Sequence, residues 1–222
     1  MQKTSNLLIY LASASPRRSA LLTQIGVAHR VRSVDVDERM QTGESAVQYV
    51  ERLAILKSET LWSQLADAER RPVLGADTTV AIGDEILSKP LDEQDGRRML
   101  LLLSGRTHHV HTAVALRHAE GCAARVSVSE VTFRNLSDTE ISAYWRLGEP
   151  ADKAGGYAVQ GLAAVFIERI VGSYSGIMGL PLYETGELLR SIGWRIGAFD
   201  PHLTGPEARG AAHAPAVSWV RG

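Results

Sequence analysis

Apolar positions along this chain switch between two periods. Leu7 to Ala12 is a short apolar run that predicts a buried strand, and Ser19 to Ile25 predicts a helix ended by Gly26. Val31 to Val36 predicts a second strand. From about Ser45 to Ala68, Val47, Val50, Leu53, Ala54, Leu61 and Leu65 recur at helical spacing. Pro72 to Ile82 is the clearest strand, followed by a Gly83-Asp84 turn and by Ile86-Leu87 leading to Lys89-Pro90. A helix is expected over Glu93 to Leu103, stopping at Ser104-Gly105. Thr107 to Arg117 and Arg125 to Phe133 predict a hairpin that turns near Glu120-Gly121. Ser137 to Glu140 carries a capping-box signature that opens a helix to about Leu147. Ala163 to Ile170 predicts a strand, Gly172 to Gly179 a loop, Leu182 to Ile192 a helix and Trp194 to Phe199 a last strand. Strands alternating with helices argue for an α/β fold. From Pro201 onward the chain is rich in Pro, Gly, Ala and His without periodicity, which predicts a disordered tail over 201–222 behind one domain over 1–200.

Composition narrows the function classes. The chain has 222 residues, the length of one large domain or of two lobes sharing a site, and 45% apolar residues, enough for a proper core. A net charge of −1 gives no footprint for a nucleic-acid polymer or a membrane surface. The charge is locally uneven: Lys3, Arg17, Arg18, Arg30 and Arg32 all precede the first acid, Asp35. A basic opening in a neutral protein suits a small anionic ligand. The single cysteine, Cys122, allows no intramolecular disulfide and no thiolate metal cluster, which fits a reducing, cytoplasmic setting. The N-terminal apolar run is shorter than the h-region of a signal peptide, and no stretch approaches the ~20 apolar residues of a membrane span.

The stretch Ser13-Ala14-Ser15-Pro16-Arg17-Arg18 is the first place where chemistry gathers. Two small hydroxyl residues fall in a strand-to-helix turn, with a proline near the first helical position. Free N–H groups at a helix start, with two guanidinium groups, form an anion site, to which Ser13 and Ser15 can donate further hydrogen bonds. An ordinary capped helix with solvated arginines is the plainer reading. No P-loop is present, because no Gly-Lys-Ser/Thr follows a glycine-rich run. Asp77 interrupts an apolar strand, so its carboxylate must be paired, hydrogen-bonded or metal-bound, either for function or to cap a neighbouring turn. Asp35, Asp37 and Glu38 form an acidic cluster that could join Asp77 around Mg²⁺, or could be a solvated loop. Lys57 and Lys89 could each meet a polyphosphate, and either alone could be a surface lysine. His108, His109 and His111 invite a zinc reading, which fails for want of a suitable third ligand on one face. Gln160 offers a donor and an acceptor, the group type that reads a base edge, although structural glutamines are common.

Eight segments in order resemble the Maf family of septum-formation-inhibitor-like nucleoside triphosphate pyrophosphatases, across most of residues 7–199. They are Leu-Ala-Ser-Ala-Ser-Pro-Arg-Arg (11–18), Tyr-Val-Glu-Arg-Leu-Ala (49–54) with Lys57, Leu-Gly-Ala-Asp-Thr-Thr-Val (74–80), and Ser88-Lys-Pro90. Further along are Ser104-Gly-Arg-Thr-His108, Asp152-Lys-Ala-Gly-Gly-Tyr-Ala-Val-Gln-Gly161, Gly172-Ser-Tyr174 and Gly179-Leu-Pro-Leu182. The resemblance implies a mixed α/β sheet whose two lobes flank a long nucleotide-binding cleft, similar to the inosine triphosphate pyrophosphatases. It implies hydrolysis of a nucleoside triphosphate to the monophosphate and pyrophosphate with a divalent cation, Mg²⁺ or Mn²⁺. The family's proton acceptor falls on Asp77 and its specificity positions on Arg17, Thr78 and Gln160. Ser13, Ser15, Arg18, Lys57 and Lys89 are then expected to bind phosphate, and Asp77 with Glu38 to hold metal. These residue types resemble the subgroup acting on dTTP and UTP. The sister subgroup acting on 7-methyl-GTP has Asp-Gln for Asp77-Thr78 and Glu-Gly for Gln160-Gly161. Two positions depart from the family pattern: Thr79 stands where an aliphatic residue is usual, and Ser175-Gly176 precedes Ile-Met where Asn-Val-Val is common. Removal of non-standard nucleotides and restraint of cell division accompany the family. The expected partner is a small nucleotide, with a homodimer left open.

Overall fold

A computed structural model describes residues 8–196 of the chain. Seven strands form one mixed sheet: β1 (Ile9–Leu11), β2 (His29–Val31), β3 (Val73–Ile82), β4 (Glu85–Leu87), β5 (Thr107–His118), β6 (Gly121–Phe133) and β7 (Ile167–Val171). Their order is β2-β1-β3-β5-β6-β7, with β4 paired to β3. β1 runs parallel to β2 and β3, and all other pairings are antiparallel. The six α-helices are α1 (Pro16–Gln24), α2 (Ala46–Gln64), α3 (Glu93–Leu103), α4 (Asp138–Arg146), α5 (Tyr174–Met178) and α6 (Leu182–Ser191). The α/β architecture expected from the alternating periods is observed, with the mixed sheet that the resemblance implies.

β3 is the spine. Its residues are buried almost without interruption and alternate between two faces. Leu74 and Ala76 pack with α1 and α6 through Leu21, Leu22, Leu188 and Leu189. The other face meets α2, whose Tyr49, Val50, Leu53 and Ala54 cover Ala113 and Ala115 of β5. Beyond Thr79 the strand enters a separate part of the core, where Val80 joins Val110, Phe133, Leu100 and Ile141 beneath α3 and α4. The core therefore divides along the long strands, and Asp77-Thr78 stands at the division.

Local signals explain most element ends. Ser137 Oγ accepts from the Glu140 N–H, and the Glu140 carboxylate accepts from the Ser137 N–H, so the expected capping box opens α4 in both directions. A second box, Ser45 with Gln48, opens α2. Pro16 occupies the first turn of α1.

Five expectations need correction. The strand expected over 31–36 forms earlier, at His29–Val31, because β1 offers only three residues to pair with before the chain leaves the sheet. The helix expected to reach Ala68 ends at Gln64, with Leu65 extended and a separate 3-10 turn at Asp67–Glu69. The strand expected from Ala163 begins at Ile167. Leu162–Phe166 is instead a 3-10 turn whose first N–H groups donate to the Glu149 carboxylate. The loop at 172–179 contains a turn of helix, capped by Ser173 Oγ accepting from the Gly176 N–H and ended by Gly179 with φ of 117°. Of the strand expected over Trp194 to Phe199, residues 194–196 are not in a strand. Its remainder and the expected tail over 201–222 lie outside the described residues.

Gly75 sets how closely α2 approaches the spine. A Cβ there would lie 2.2 Å from the Ala54 carbonyl oxygen and 2.8 Å from the Ser58 N. Both are main-chain atoms of α2. Gly75→Ala is expected to cost about 1–3 kcal/mol through overpacking, read as a lower urea midpoint. Ala54→Gly does not restore it, since the obstacle is a backbone carbonyl. An unchanged midpoint would contradict this account of the α2–β3 contact.

Candidate active site

A cleft of about 580 Å³ opens at the division of the core. One wall is the β1–α1 turn, the floor is Asp77 to Val80 of β3, and the far wall carries the segment Asp152 to Gln160. Every site residue expected from the sequence lines it: Ser13, Ser15, Arg17, Arg18, Glu38, Lys57, Asp77, Thr78, Lys89 and Gln160.

Strand alternation turns Asp77 and Thr78 to opposite faces. Asp77 is only 8% exposed and faces α2, where Lys57 Nζ donates to its Oδ1 at 2.7 Å. The same ammonium lies 2.6 Å from Glu38 Oε1. Lys57 thus sits between two carboxylates drawn from a strand and a loop. The loop is anchored by the Tyr49 hydroxyl, which donates to the Glu38 carbonyl at 2.9 Å. Burial pushes the Asp77 carboxyl above the usual carboxylate range, against the opposing pull of Lys57 and Arg18. For Glu38, burial is the largest single influence and pushes upward. The hydrogen bond and charge of Lys57, with Lys89 and Arg18 adding to it, outweigh burial and hold the carboxyl low.

The acidic cluster 35–38 does not act as a unit. Asp37 is drawn away by Arg39, whose Nη2 lies 2.6 Å from Oδ2, and its carboxyl falls to about 2 through that hydrogen bond. Asp35 is exposed and does not line the cleft. Only Glu38 turns inward. Glu38 and Asp77 reach a common point that already favours positive charge. Two carboxylates are also what Mg²⁺ takes from a protein when phosphate oxygens and water complete its shell. Among the described residues no group of three His, Cys, Asp or Glu side chains converges. The donor set therefore fits a cation shared with a phosphorylated ligand.

Arg18 differs from the expected free phosphate clamp. Its Nε donates to the Gly179 carbonyl at 2.7 Å, Nη1 to Ser13 Oγ at 3.0 Å and Nη2 to Thr78 Oγ1 at 3.1 Å. Three of its five donors are committed. It ties the β1–α1 turn to β3 and to the end of α5, and burial lowers its pKa from the ordinary guanidinium value. Thr78 is correspondingly held: the Thr112 hydroxyl lies 3.0 Å from its Oγ1 and donates to the Gly176 carbonyl at 2.8 Å. Arg17, by contrast, is restrained among the described residues only by a 3.9 Å contact with the exposed Asp152. No side chain caps the first turn of α1, so its N–H groups stay open to an anion. Gln160 is exposed at the tip of its turn.

Sequence reading missed three neighbours. Lys153, ion-paired with Asp152, and the buried Tyr157 both line the cleft. Only their place in the 152–161 segment signalled them. The third, Glu149, lies behind that segment and had no signal of its own. His108 stacks edge-on against Phe133 and Tyr157 and shares a hydrogen bond of 2.8 Å with the Tyr157 hydroxyl. Burial pushes its pKa down to about 4. It is a core residue on the face opposite His109 and His111.

Residues 8–192 match the family model described as Maf-like protein. The chain belongs to the Maf family. A dTTP/UTP pyrophosphatase of Saccharophagus degradans is 54% identical over 183 residues, covering 82% of this chain and 87% of that protein. Proteins of the same name from Hahella chejuensis and Aromatoleum aromaticum are 50% and 51% identical, covering 85% of this chain in each case and 94% and 97% of their own lengths. Among solved structures, the Ham1 protein of Staphylococcus aureus aligns at a TM-score of 0.44 and 13% identity, over 83% of this chain and 97% of its own. In this Maf chain the two neighbouring arginines have separable roles. Arg18→Ala is expected to cost about 1–3 kcal/mol, because it strands the Gly179 carbonyl and takes one partner from the Thr78 hydroxyl. Arg17→Ala is expected to stay within about 0.5 kcal/mol, as a 3.9 Å pair with an exposed carboxylate contributes little. Urea unfolding of both variants checks this, and equal losses would contradict the assignment.

Proposed function

We propose that this chain hydrolyses nucleoside triphosphates, with dTTP and UTP preferred, to the nucleoside monophosphate and pyrophosphate. The observation that carries the reading is a buried carboxylate, Asp77, held at the floor of a cleft beside an ammonium and faced by Arg17, Lys89 and an uncapped helix start. The names of the relatives, with about half of all aligned residues identical, support the same reaction and substrate class.

Each residue has a derivable task. The open N–H groups of α1, with Arg17 and Lys89, offset the triphosphate charge. Lys57 holds Asp77 and Glu38 in place and balances their repulsion. Asp77, raised by burial, accepts a proton from the water that attacks the α-phosphorus, and a carboxylate above its ordinary ~3.9 is the better base near neutrality. The anhydride bond then breaks and its electron pair leaves with pyrophosphate. A divalent cation held by Asp77 and Glu38 would neutralise phosphoryl charge and acidify the attacking water. Gln160 reads the base: uracil and thymine present an O4 acceptor and an N3–H donor, which a held amide complements. Cytosine reverses that pattern.

Incubation of the chain with UTP or dTTP and Mg²⁺ should release pyrophosphate and monophosphate in equal amounts. A nucleoside diphosphate as first product would overturn the reading. Asp77→Asn is expected to lower kcat by a factor on the order of 10²–10⁴, with the fold kept because Glu38 still pairs Lys57. A near-normal kcat would remove Asp77 from the mechanism. Gln160→Glu is expected to narrow the preference for UTP over CTP by roughly tenfold or more, chiefly by weakening UTP. Equal losses for both nucleotides would mean that Gln160 only braces its loop.

A further inference from the structure

The turn that carries Gln160 is held from behind by groups outside the cleft. Glu149 follows Gly148 and opens a 3-10 turn over Glu149–Asp152. Its Oε1 accepts from the Tyr144 hydroxyl at 2.6 Å, and its Oε2 accepts from the Leu162 N–H at 3.0 Å. The Ala163 N–H lies 3.4 Å from Oε1. The Tyr144 hydroxyl in turn accepts from the Ala158 N–H at 3.3 Å. The two ends of the Ala158–Leu162 turn are therefore tied to one carboxylate, one end directly and the other through a phenol. Between them the Gly161 N–H donates to the Ala158 carbonyl at 3.0 Å, closing the turn beneath Gln160.

The fit is tight. A Cβ on Gly161 would lie 2.3 Å from both Glu149 carboxylate oxygens. Gly161 has φ of −105°, which any residue adopts, so the glycine answers to the carboxylate and not to backbone strain. Tyr144 is 2% exposed and packs edge-on against Phe166, which fixes the phenol from the core of the α3–α4 lobe. Burial is the largest influence on Glu149 and pushes its carboxyl up, but the Tyr144 hydroxyl and the two amides outweigh it and hold it ionised.

We infer that Glu149, acting through Tyr144 and the main chain of the Ala158–Leu162 turn, is the positioning residue that fixes the point from which the Gln160 side chain reaches the base and so sets base discrimination. The inference rests on the base-reading role of Gln160. A free amide can flip to present donor or acceptor, and a flipped amide satisfies cytosine as well as uracil. Discrimination therefore needs the amide to meet the base edge at one distance and angle, which a shifting main chain beneath Gln160 would not provide. Glu149 fixes that main chain without touching the nucleotide.

Glu149→Gln keeps the shape and replaces one acceptor with an NH₂ donor, which then faces donors. Tyr144→Phe keeps the ring and removes one hydroxyl. Both are expected to reduce the UTP:CTP ratio of kcat/KM by about fivefold or more, through a raised KM for UTP. The kcat for UTP stays within about threefold, since Asp77, Lys57 and the α1 turn are untouched. Gly161→Ala alone lowers the ratio in the same way. Added to Glu149→Ala it lowers the ratio no further, because the obstructing carboxylate is gone. Gln160→Ala is measured alongside. If it leaves the ratio unmoved, the base-reading role fails and the inference with it. If Gln160→Ala collapses the ratio while Glu149→Gln and Tyr144→Phe do not, the base-reading role stands and the positioning role is overturned. Equal losses of kcat for all nucleotides in the Glu149 variants would likewise reduce it to a fold contact.

Discussion

Burying a carboxylate in the middle of an apolar strand costs several kcal/mol unless a positive charge meets it. In this chain the meeting of Asp77 with Lys57 organises what surrounds it. Lys57 can reach the strand only because α2 lies almost against it, and α2 lies there only because Gly75 has no side chain. Once the ammonium is in place it can satisfy a second carboxylate, and the loop carrying Glu38 is drawn in and pinned by Tyr49. Removal of Lys57 would leave two like charges facing each other, so the pair is as much a constraint on the loop as on the strand.

On the other face of β3 a different solution holds. Thr78 is neutral, and the charge there belongs to Arg18, whose donors are spent on Gly179, Ser13 and Thr78. The cleft therefore has a rigid end, built from two elements locked to the spine by charged hydrogen bonds. Its other end is a short turn, held by a carboxylate lying behind it. In the proposed reading, reaction chemistry and choice of base fall to different parts of the cleft, which meet through the long strands and through the contact of Arg17 with Asp152.

Much of this was legible in the sequence. A carboxylate interrupting Val73–Ile82 has few tolerable fates, and the serines, proline and arginines at 13–18 declare a helix start by residue type alone. The capping box at Ser137 was equally readable. What escaped depended on partners far along the chain. Residue type alone left Glu38 level with Asp35 and Asp37 and the family resemblance singled it out; in the structure the choice is made by Lys57 nineteen positions later and by Arg39 capturing Asp37. Arg18 looks as available as Arg17 until Gly179 claims it. Ala163 to Phe166 reads as strand because its residues are apolar, yet Glu149 supplies acceptors that hold the first amides in a helical turn. Arg18 and the 162–166 turn were missed because hydrogen bonds to distant partners override a local preference, whereas the loss of Asp37 to Arg39 is a contact two residues away.

The pairing of β3 with β5 sets Asp77 against Ala113 and Thr78 against Thr112. Because successive side chains leave a strand on opposite sides, this ladder also decides which of the two residues meets which helix. A slip of one position would exchange them: the carboxylate would face the spent guanidinium of Arg18, and Lys57 would be left against a hydroxyl. Both cores would still find apolar residues to bury along so hydrophobic a strand. The reading frame of the sheet is thus a functional element in its own right, and a single inserted residue within Val73–Ala76 could silence the site while leaving every residue that composes it in the chain.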